Sequence, residues 1–441
     1  MKNKVLTAAL LVCFFSCQKN IDYQPLQSSD VSSATKKGKR IYLTQTANVV
    51  GKYFKYSPGD TFVLKSVINY TYLVMNEIHD VTIINEGGVV HLLNGFNLAN
   101  CRDITITGTG AKQFYGFEIS GHTAGDVGID INGKSSHINV NHVYIHDKTY
   151  GFWVKQEVAN TCDKSLYYPN WYMDDITIHH CMIKRMYQEG MYLGSTGQNA
   201  DRPNKCGGHP YPMRLSNISV HHNIIDSTGR GGIMLSGADK GENRIYKNTI
   251  TRCGFEYNSY QGNGIVIGGN AYANIDSNTI KNTLCDGIWV LGAGITRVRN
   301  NTIESSGWLE GVHANNMHGI SFDTRPSYPF TLSIFRIRNN QIGKHTDKTD
   351  IYIYNTMQYK DDEDDQGGGD LNRDDHVHGD DHGHGHDHDH GHGHGHGHGH
   401  DHHGKPVSGF DTKNNLIFNN NKGNAMIGTQ SGIKYKTTPN P

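Results

Sequence analysis

The sequence predicts an all-β solenoid, a stack of coils built from short parallel strands, on the strength of two recurring runs and one recurring residue. Alternating apolar and polar residues recur as DITIHHCMI, NISVHHNII, RIYKNTI, NIDSNTI, RVRNNTI and FRIRNNQI. A glycine-led second run follows most of them: GMYLG, GIMLSG, GIVIGG, GIWVLG and GISF. Aligning the runs places Cys181, Asn223, Asn248, Asn278, Asn301, Asn340 and Asn415 at one position, with the shortest spacings 23 to 30 residues. Strands of three to five residues at such a period are the signature of a solenoid.

Each element follows from residue type. The apolar positions are mostly Ile and Val with period 2, and Gly and Asn interrupt every candidate helix, which excludes helical solenoids. A bladed propeller needs four strands and roughly 40 residues per repeat. Coils of two or three strands stacked ~4.8 Å apart fit instead. Each repeated Asn then sits above the last, where its amide can bond the turn backbone and the next Asn, so the column reads as a structural ladder. His142, His180 and His222 share a repeat position, and Asn141, His179 and His221 the one before it. A stacked polar ladder accounts for them. Metal bridging is the alternative, with only Cys181 nearby to complete a site.

The stacked turns, the GIxxG strands and the opening segment SPGDTFVLKSVINYTYLV resemble the pectate lyase-like superfamily over roughly residues 50 to 360 and 408 to 436. That resemblance implies a right-handed parallel β-helix solenoid with long loop insertions. It leaves activity open, because the superfamily includes polysaccharide lyases, glycoside hydrolases, uronate epimerases and non-catalytic adhesins, and no complete catalytic signature of any of these is present.

At the N-terminus, Lys2 and Lys4 precede VLTAALLVCFF, too short to span a bilayer, and Ser16-Cys17 follows. The pattern resembles a bacterial lipoprotein signal over residues 1–16 with Cys17 lipidated, although Phe14 departs from the usual Leu. The expectation is a protein outside the cytoplasm, anchored to the outer membrane or cell surface by lipid, with an extracellular polysaccharide and no nucleic acid as partner. Residues 17–45 read as a polar tether, 46–360 as the β-helix, 361–404 as an acidic His-rich disordered insertion, 405–436 as a final coil and 437–441 as a tail. Cys162 and Cys206 lie in long irregular segments and suit a loop-closing disulfide, whereas Cys101, Cys181, Cys253 and Cys285 read as buried thiols. Sequence alone leaves the pairing open.

The net charge of -1 is a cancellation. Residues 361–404 hold 13 acidic residues and one basic residue, Arg373, which leaves 40 Lys+Arg against 29 Asp+Glu elsewhere; without Lys2 and Lys4 the remaining body is +9. A basic body suits an anionic polysaccharide. Between strands, the insertions at 155–174, 194–214, 254–263, 305–318 and 323–330 carry Lys155, Trp171, Tyr172, Arg202, Tyr211, Tyr257, Tyr260, Trp308 and Arg325. Aromatic faces with cationic neighbours suit an anionic sugar chain; loop packing is the alternative.

Register supplies the catalytic candidates. The residue before each glycine-led strand is Glu189, Gly231, Asn263, Asp286 and His318 in turn, so Glu189, Asp286 and His318 line one groove with Arg230 between the first two, and Asp323 follows at the next strand end. Glycoside hydrolysis needs two carboxyl groups about 5 to 9.5 Å apart. Lyase or epimerase chemistry needs a base for the proton alpha to a uronate carboxylate and a cation to neutralise that carboxylate. The mixture suits the second scheme better, with solvated turn charges as the alternative. The expected function is binding and cleavage of a uronate-containing extracellular polysaccharide; a non-catalytic glycan- or metal-binding surface protein is the second expectation.

His376, His378, His382, His384, His386, His388, His390, His392, His394, His396, His398, His400, His402 and His403 mostly alternate with Gly or Asp. That composition forms no core and can wrap a divalent zinc, nickel or copper ion as cofactor or cargo. Deleting residues 361–404 is expected to remove most of the zinc or nickel equivalents bound in a calorimetric titration. Equal stoichiometry with and without the segment would exclude it as the ligand.

Overall fold

Alternation with period 2 sends every second side chain of a strand inward. In Arg102–Thr107 the buried residues are Ile104 and Ile106; in Ser136–Asn141 Ile138 and Val140 are buried, and in Tyr172–His179 Ile176 and Ile178. A computed structural model describes residues 38–44, 46–52, 54–121, 125–196, 203–258, 260–291, 294–323 and 333–354, together with the strands Leu416–Phe418, Ile427–Thr429 and Lys436–Thr438. These strands form a right-handed parallel β-helix whose three long sheets, here called A, B and C, contain 14, 12 and 9 described strands.

One coil runs through Ser136–Asn141 in sheet A, Val143–His146 in sheet C and Tyr150–Val154 in sheet B. The next repeats the order with Tyr172–His179, Met182–Met186 and Met191–Leu193. Parallel pairing keeps them in register, Ile138 against Ile176 and Ile176 against Ile218. Like stacks on like, and the interior is a set of continuous aliphatic columns.

The turn from sheet A to sheet C is the most repetitive feature. Its first residue is left-handed at His142, His180, His222, Lys247, Ser277, Asn300 and Asn339, with φ between 53° and 56°. The next residue points inward, and Asn223, Asn248, Asn278, Asn301 and Asn340 are buried there. The Asn278 Oδ1 accepts the backbone N–H and the side-chain amide of Asn248, both at 3.0 Å. Its own amide donates to the Ile245 carbonyl and to Asn301 Oδ1, both at 2.9 Å. The predicted ladder is thus a chain of satisfied buried amides. Asn415 lies outside the described residues.

Sheet B explains the leading glycines. A Cβ on Gly287 would stand 2.6 Å from Ile303 Cγ2 and 2.7 Å from the Gly319 carbonyl oxygen. The inward Ile of the following coil occupies that space, so the requirement is steric. Gly151, Gly190, Gly232, Gly264 and Gly319 face the same obstruction.

Among the described residues the stack begins at Arg40–Tyr42, which pairs with Thr61–Lys65, inside the segment that composition assigns to the tether. Leu43 is buried just beyond it, which supplies the reason. Past the insertion, Leu416–Phe418 pairs with Ser333–Arg338, Ile427–Thr429 with Ile351–Tyr354, and Lys436–Thr438 with Leu416–Phe418, so pairing extends beyond residue 436. Cys17, and with it residues 1–37, and the histidines from His376 to His403 lie outside the described residues. Cys162 and Cys206 are disulfide-bonded, 5.9 Å apart between Cα atoms, joining two insertions. The four remaining described cysteines are buried thiols, and burial pushes Cys181, Cys253 and Cys285 up to about 12.

Replacing Asn278 by Ala is expected to cost about 3–5 kcal/mol, because the Asn248 N–H, the Asn248 amide and the Ile245 carbonyl lose their partners in a dry interior. Urea unfolding checks this. A midpoint within error of the parent would mean that the ladder contributes no stability.

Candidate functional site

Chemistry on this scaffold must use side chains that point outward from rigid strands. Sheet B presents two such columns. The first holds the residue before each glycine: Tyr150, Glu189, Gly231, Asn263, Asp286 and His318 follow one another through hydrogen bonds of the intervening glycine N–H groups. In the second, register stacks Trp153, Tyr192, Met234, Val266, Trp289, Ser321 and Tyr352.

At Asp286 and His318 the two columns open into a cleft of about 470 Å³, lined also by Tyr260, Asn263, Trp289, Asn316, Asp347, Tyr352 and Tyr354. The Asp286 Oδ1 accepts the backbone N–H of His318 at 2.6 Å, and the Asp286 N–H donates to Asn263 Oδ1 at 3.0 Å. Burial raises the Asp286 carboxyl above the ordinary range, against the opposing pull of that backbone N–H.

His318 stacks on Tyr352 with ring centroids 4.7 Å apart. Its Nδ1 lies 3.0 Å from the Thr349 carbonyl oxygen and 3.0 Å from Thr349 Oγ1. A carbonyl only accepts, so Nδ1 carries the proton and Nε2 keeps a lone pair in the neutral ring. The Thr349 hydroxyl and N–H both donate to Asp347 Oδ1 at 3.0 Å, and that oxygen is 3.6 Å from His318 Nδ1. Burial works to raise Asp347, but Thr349 and His318 together hold it below the ordinary carboxylate value. The result is a neutral-leaning carboxyl beside an imidazole backed by an ionised one.

Glu189 and Arg230 form a separate group. Three coil steps of ~4.8 Å separate Glu189 from Asp286, about 14 Å, too far to flank one glycosidic bond. Glu189 is 2% exposed and its Oε2 has no hydrogen-bond partner among the described residues. Burial raises its carboxyl, with Arg230 opposing. Arg230 Nη1 is 3.9 Å from Glu189 Oε1, and its main partner is Glu256, reached by Nη2 at 3.2 Å and by Nε. Lys155 is buried beside them, its ammonium 3.8 Å from the Trp153 ring and 3.6 Å from the Tyr192 ring, paired with Glu157 at 2.6 Å. Asp323 ends the strand Ile320–Asp323 fully buried, outside the cleft lining.

Of the remaining candidates, Tyr260 lines the cleft, and Tyr257 is exposed in the same insertion. Trp171 packs against the core, Tyr172 lies under Lys240 Nζ at 3.9 Å, and Tyr211 meets Tyr168 at 6.4 Å. Trp308 borders a smaller hollow with Lys281, Glu304 and Lys344. Arg202 and Arg325 lie outside the described residues. Sequence reasoning missed Trp289, Asp347, Thr349, Tyr352 and Tyr354. Alternation in GIWVLG and IYIYNT carries a signal for the aromatics; Asp347 and Thr349 sit in a turn with none. Among the described residues, His179, His180 and His221 are grouped closely enough to hold a metal ion, at the turn between sheets A and C rather than at the cleft.

Strand order and site geometry define a parallel β-helix with a cleft on its outer sheet face. The family model for the right-handed beta helix region matches residues 29–303 and 174–357, and the chain belongs to that family. No curated protein matches the sequence. Among solved structures, the enzymatically active domain of tailspike protein 2 of bacteriophage CBA120 is similar at a TM-score of 0.30 and 13% identity. The alignment covers 72% of this chain and 43% of the tailspike chain, so this chain spans less than half of that protein's length.

Glu189 supplies a test of burial. A carboxyl raised in the folded state stabilises while it is protonated, below its unfolded value, and that contribution is lost as pH rises through the folded value. Glu189→Gln is therefore expected to match the parent in Tm near pH 4 and exceed it at pH 7 to 8. A variant less stable than the parent at pH 8 would show that the ionised form is the favoured one.

Proposed function

We propose that this protein is a cell-surface polysaccharide-binding protein that cleaves its ligand in the Asp286–His318 cleft. The carrying observation is the cleft itself: Asp286, which burial raises, sits beside His318 within walls that include Trp289, Tyr352 and Tyr354. Flat aromatic faces pack on sugar rings, and a rigid sheet gives an extended chain a track along the helix axis.

Elimination fits the acid and base of the cleft, Asp286 and His318, while the cation that such a step needs at the uronate carboxylate is not among the described lining residues. His318 Nε2 takes the proton alpha to a uronate carboxylate, the electron pair forms the new carbon–carbon double bond, and the glycosidic C–O bond breaks. Asp286, in its protonated form, gives its proton to the leaving oxygen. Hydrolysis would need a second carboxylate in the base's place, whereas the neighbouring Asp347 is already engaged by Thr349 and His318. The uronate preference is supported by the +9 charge of the chain outside the acidic insertion and without Lys2 and Lys4. Attachment through lipidated Cys17 is supported by the N-terminal pattern and places the cleft where extracellular glycans are met.

Incubation with pectin, alginate and glycosaminoglycans, followed by absorbance of unsaturated ends and by reducing-end assay, tests the reading. Asp286→Asn and His318→Gln are each expected to lower kcat about 10²- to 10⁴-fold while glycan binding persists. Reducing ends without unsaturation would establish hydrolysis. Binding with no product from any polymer would leave a non-catalytic glycan-binding module.

A further inference from the structure

Four of the five imidazoles at the turn between sheets A and C form two adjacent pairs. One column occupies the left-handed position, where His142, His180 and His222 stack with centroids 5.4 and 4.9 Å apart and rings within 3° of parallel. The other occupies the preceding strand end, where His179 and His221 stack at 4.9 Å and Tyr246 closes the column at 4.7 Å. The left-handed residue turns its ring back beside that of its neighbour. His179 Nδ1 and His180 Nδ1 therefore lie 2.7 Å apart, and the same atoms of His221 and His222 lie 2.9 Å apart.

A ladder does not require histidine at both positions. Later coils place Lys247, Ser277, Asn300 and Asn339 at the left-handed position and Tyr246 and Asp276 at the strand end, and the stack continues through them. Two successive coils carry His-His, and there one nitrogen from each of His179, His180 and His221 lies within 4.8 Å of the others. A tetrahedral ion with nitrogen ligands at about 2.0–2.1 Å separates them by about 3.3–3.4 Å, inside the range these rings already span. All three side chains are half-buried and reachable from solvent.

The donor set consists of imidazoles. Cys181 is not part of it, since its Sγ is buried and lies 3.3 Å from the His179 carbonyl oxygen. Neutral imidazole suits zinc, copper and nickel, whereas calcium and magnesium take oxygen ligands.

We propose that His179, His180 and His221, with His222 beside them, form a surface site for one divalent transition ion of the zinc, copper or nickel class, clipping two successive coils together. The ion bridges coils on a face other than that of the Asp286–His318 cleft, so it acts as a structural or captured ion and the site is independent of the glycan reading.

The test uses the full chain and zinc alone. Because the histidines of residues 361–404 compete for the same ion, the readout must resolve position. Anomalous diffraction at the zinc edge from zinc-soaked crystals is expected to show a peak within about 2.0–2.3 Å of ring nitrogens of His179, His180 and His221. His180→Asn/His222→Asn, which copies the residue of later coils at that position, is expected to bind one zinc equivalent fewer than the parent. No peak at the columns in saturated crystals, or an unchanged stoichiometry in that variant, would overturn the site, whatever the insertion binds.

Discussion

Everything in this protein hangs on one repeat distance, the strand spacing of about 4.8 Å between parallel coils. Whatever one coil places inside must tolerate a copy of itself directly above. Isoleucine satisfies that by stacking methyl groups, and asparagine by handing its amide to the next coil. A buried amide in an isolated turn would be costly, whereas in the column the next amide supplies its acceptor and the preceding one its donors. Glycine is demanded where the following isoleucine fills the volume a Cβ would need.

The same rule governs the outside. Each outward position becomes a column, so chemistry is arranged along the helix axis in steps of one coil. Asp286 and His318 are one step apart and share a cleft; Glu189 and Asp286 are three steps apart and belong to different environments. Burial then differentiates chemically similar groups. Asp286 is held toward its neutral form, while Asp347 in the adjoining turn is held ionised by Thr349 and His318. A rigid stack lets such differences persist, because the strands that flank both groups hold them in place.

Much of this organisation is legible in the sequence. The Asn column, the glycine-led strands and the aliphatic alternation can be read residue by residue, because each reflects a short-range demand repeated in every coil. The placement of Asp286 and His318 at neighbouring positions is legible for the same reason. The involvement of Asp347 and Thr349 is not, since they come from an irregular turn outside the repeat. The three coil steps between Glu189 and the cleft follow from register, but the diversion of Arg230 does not, because Arg230 is drawn to Glu256 by an insertion whose path has no periodic pattern.

The sequence by itself determined the parallel coil, its inner columns and the order in which outward side chains follow one another, since period-2 alternation and a constant strand spacing leave no other register. Only the tertiary structure decided which outward residues meet in a cleft, which carboxyls burial raises, and how closely the neighbouring rings of one turn, His179 with His180 and His221 with His222, approach. Those outcomes depend on how the non-repeating insertions fold back over the sheet and on the left-handed residue at each turn, and distances through space between such groups are not encoded in any local pattern.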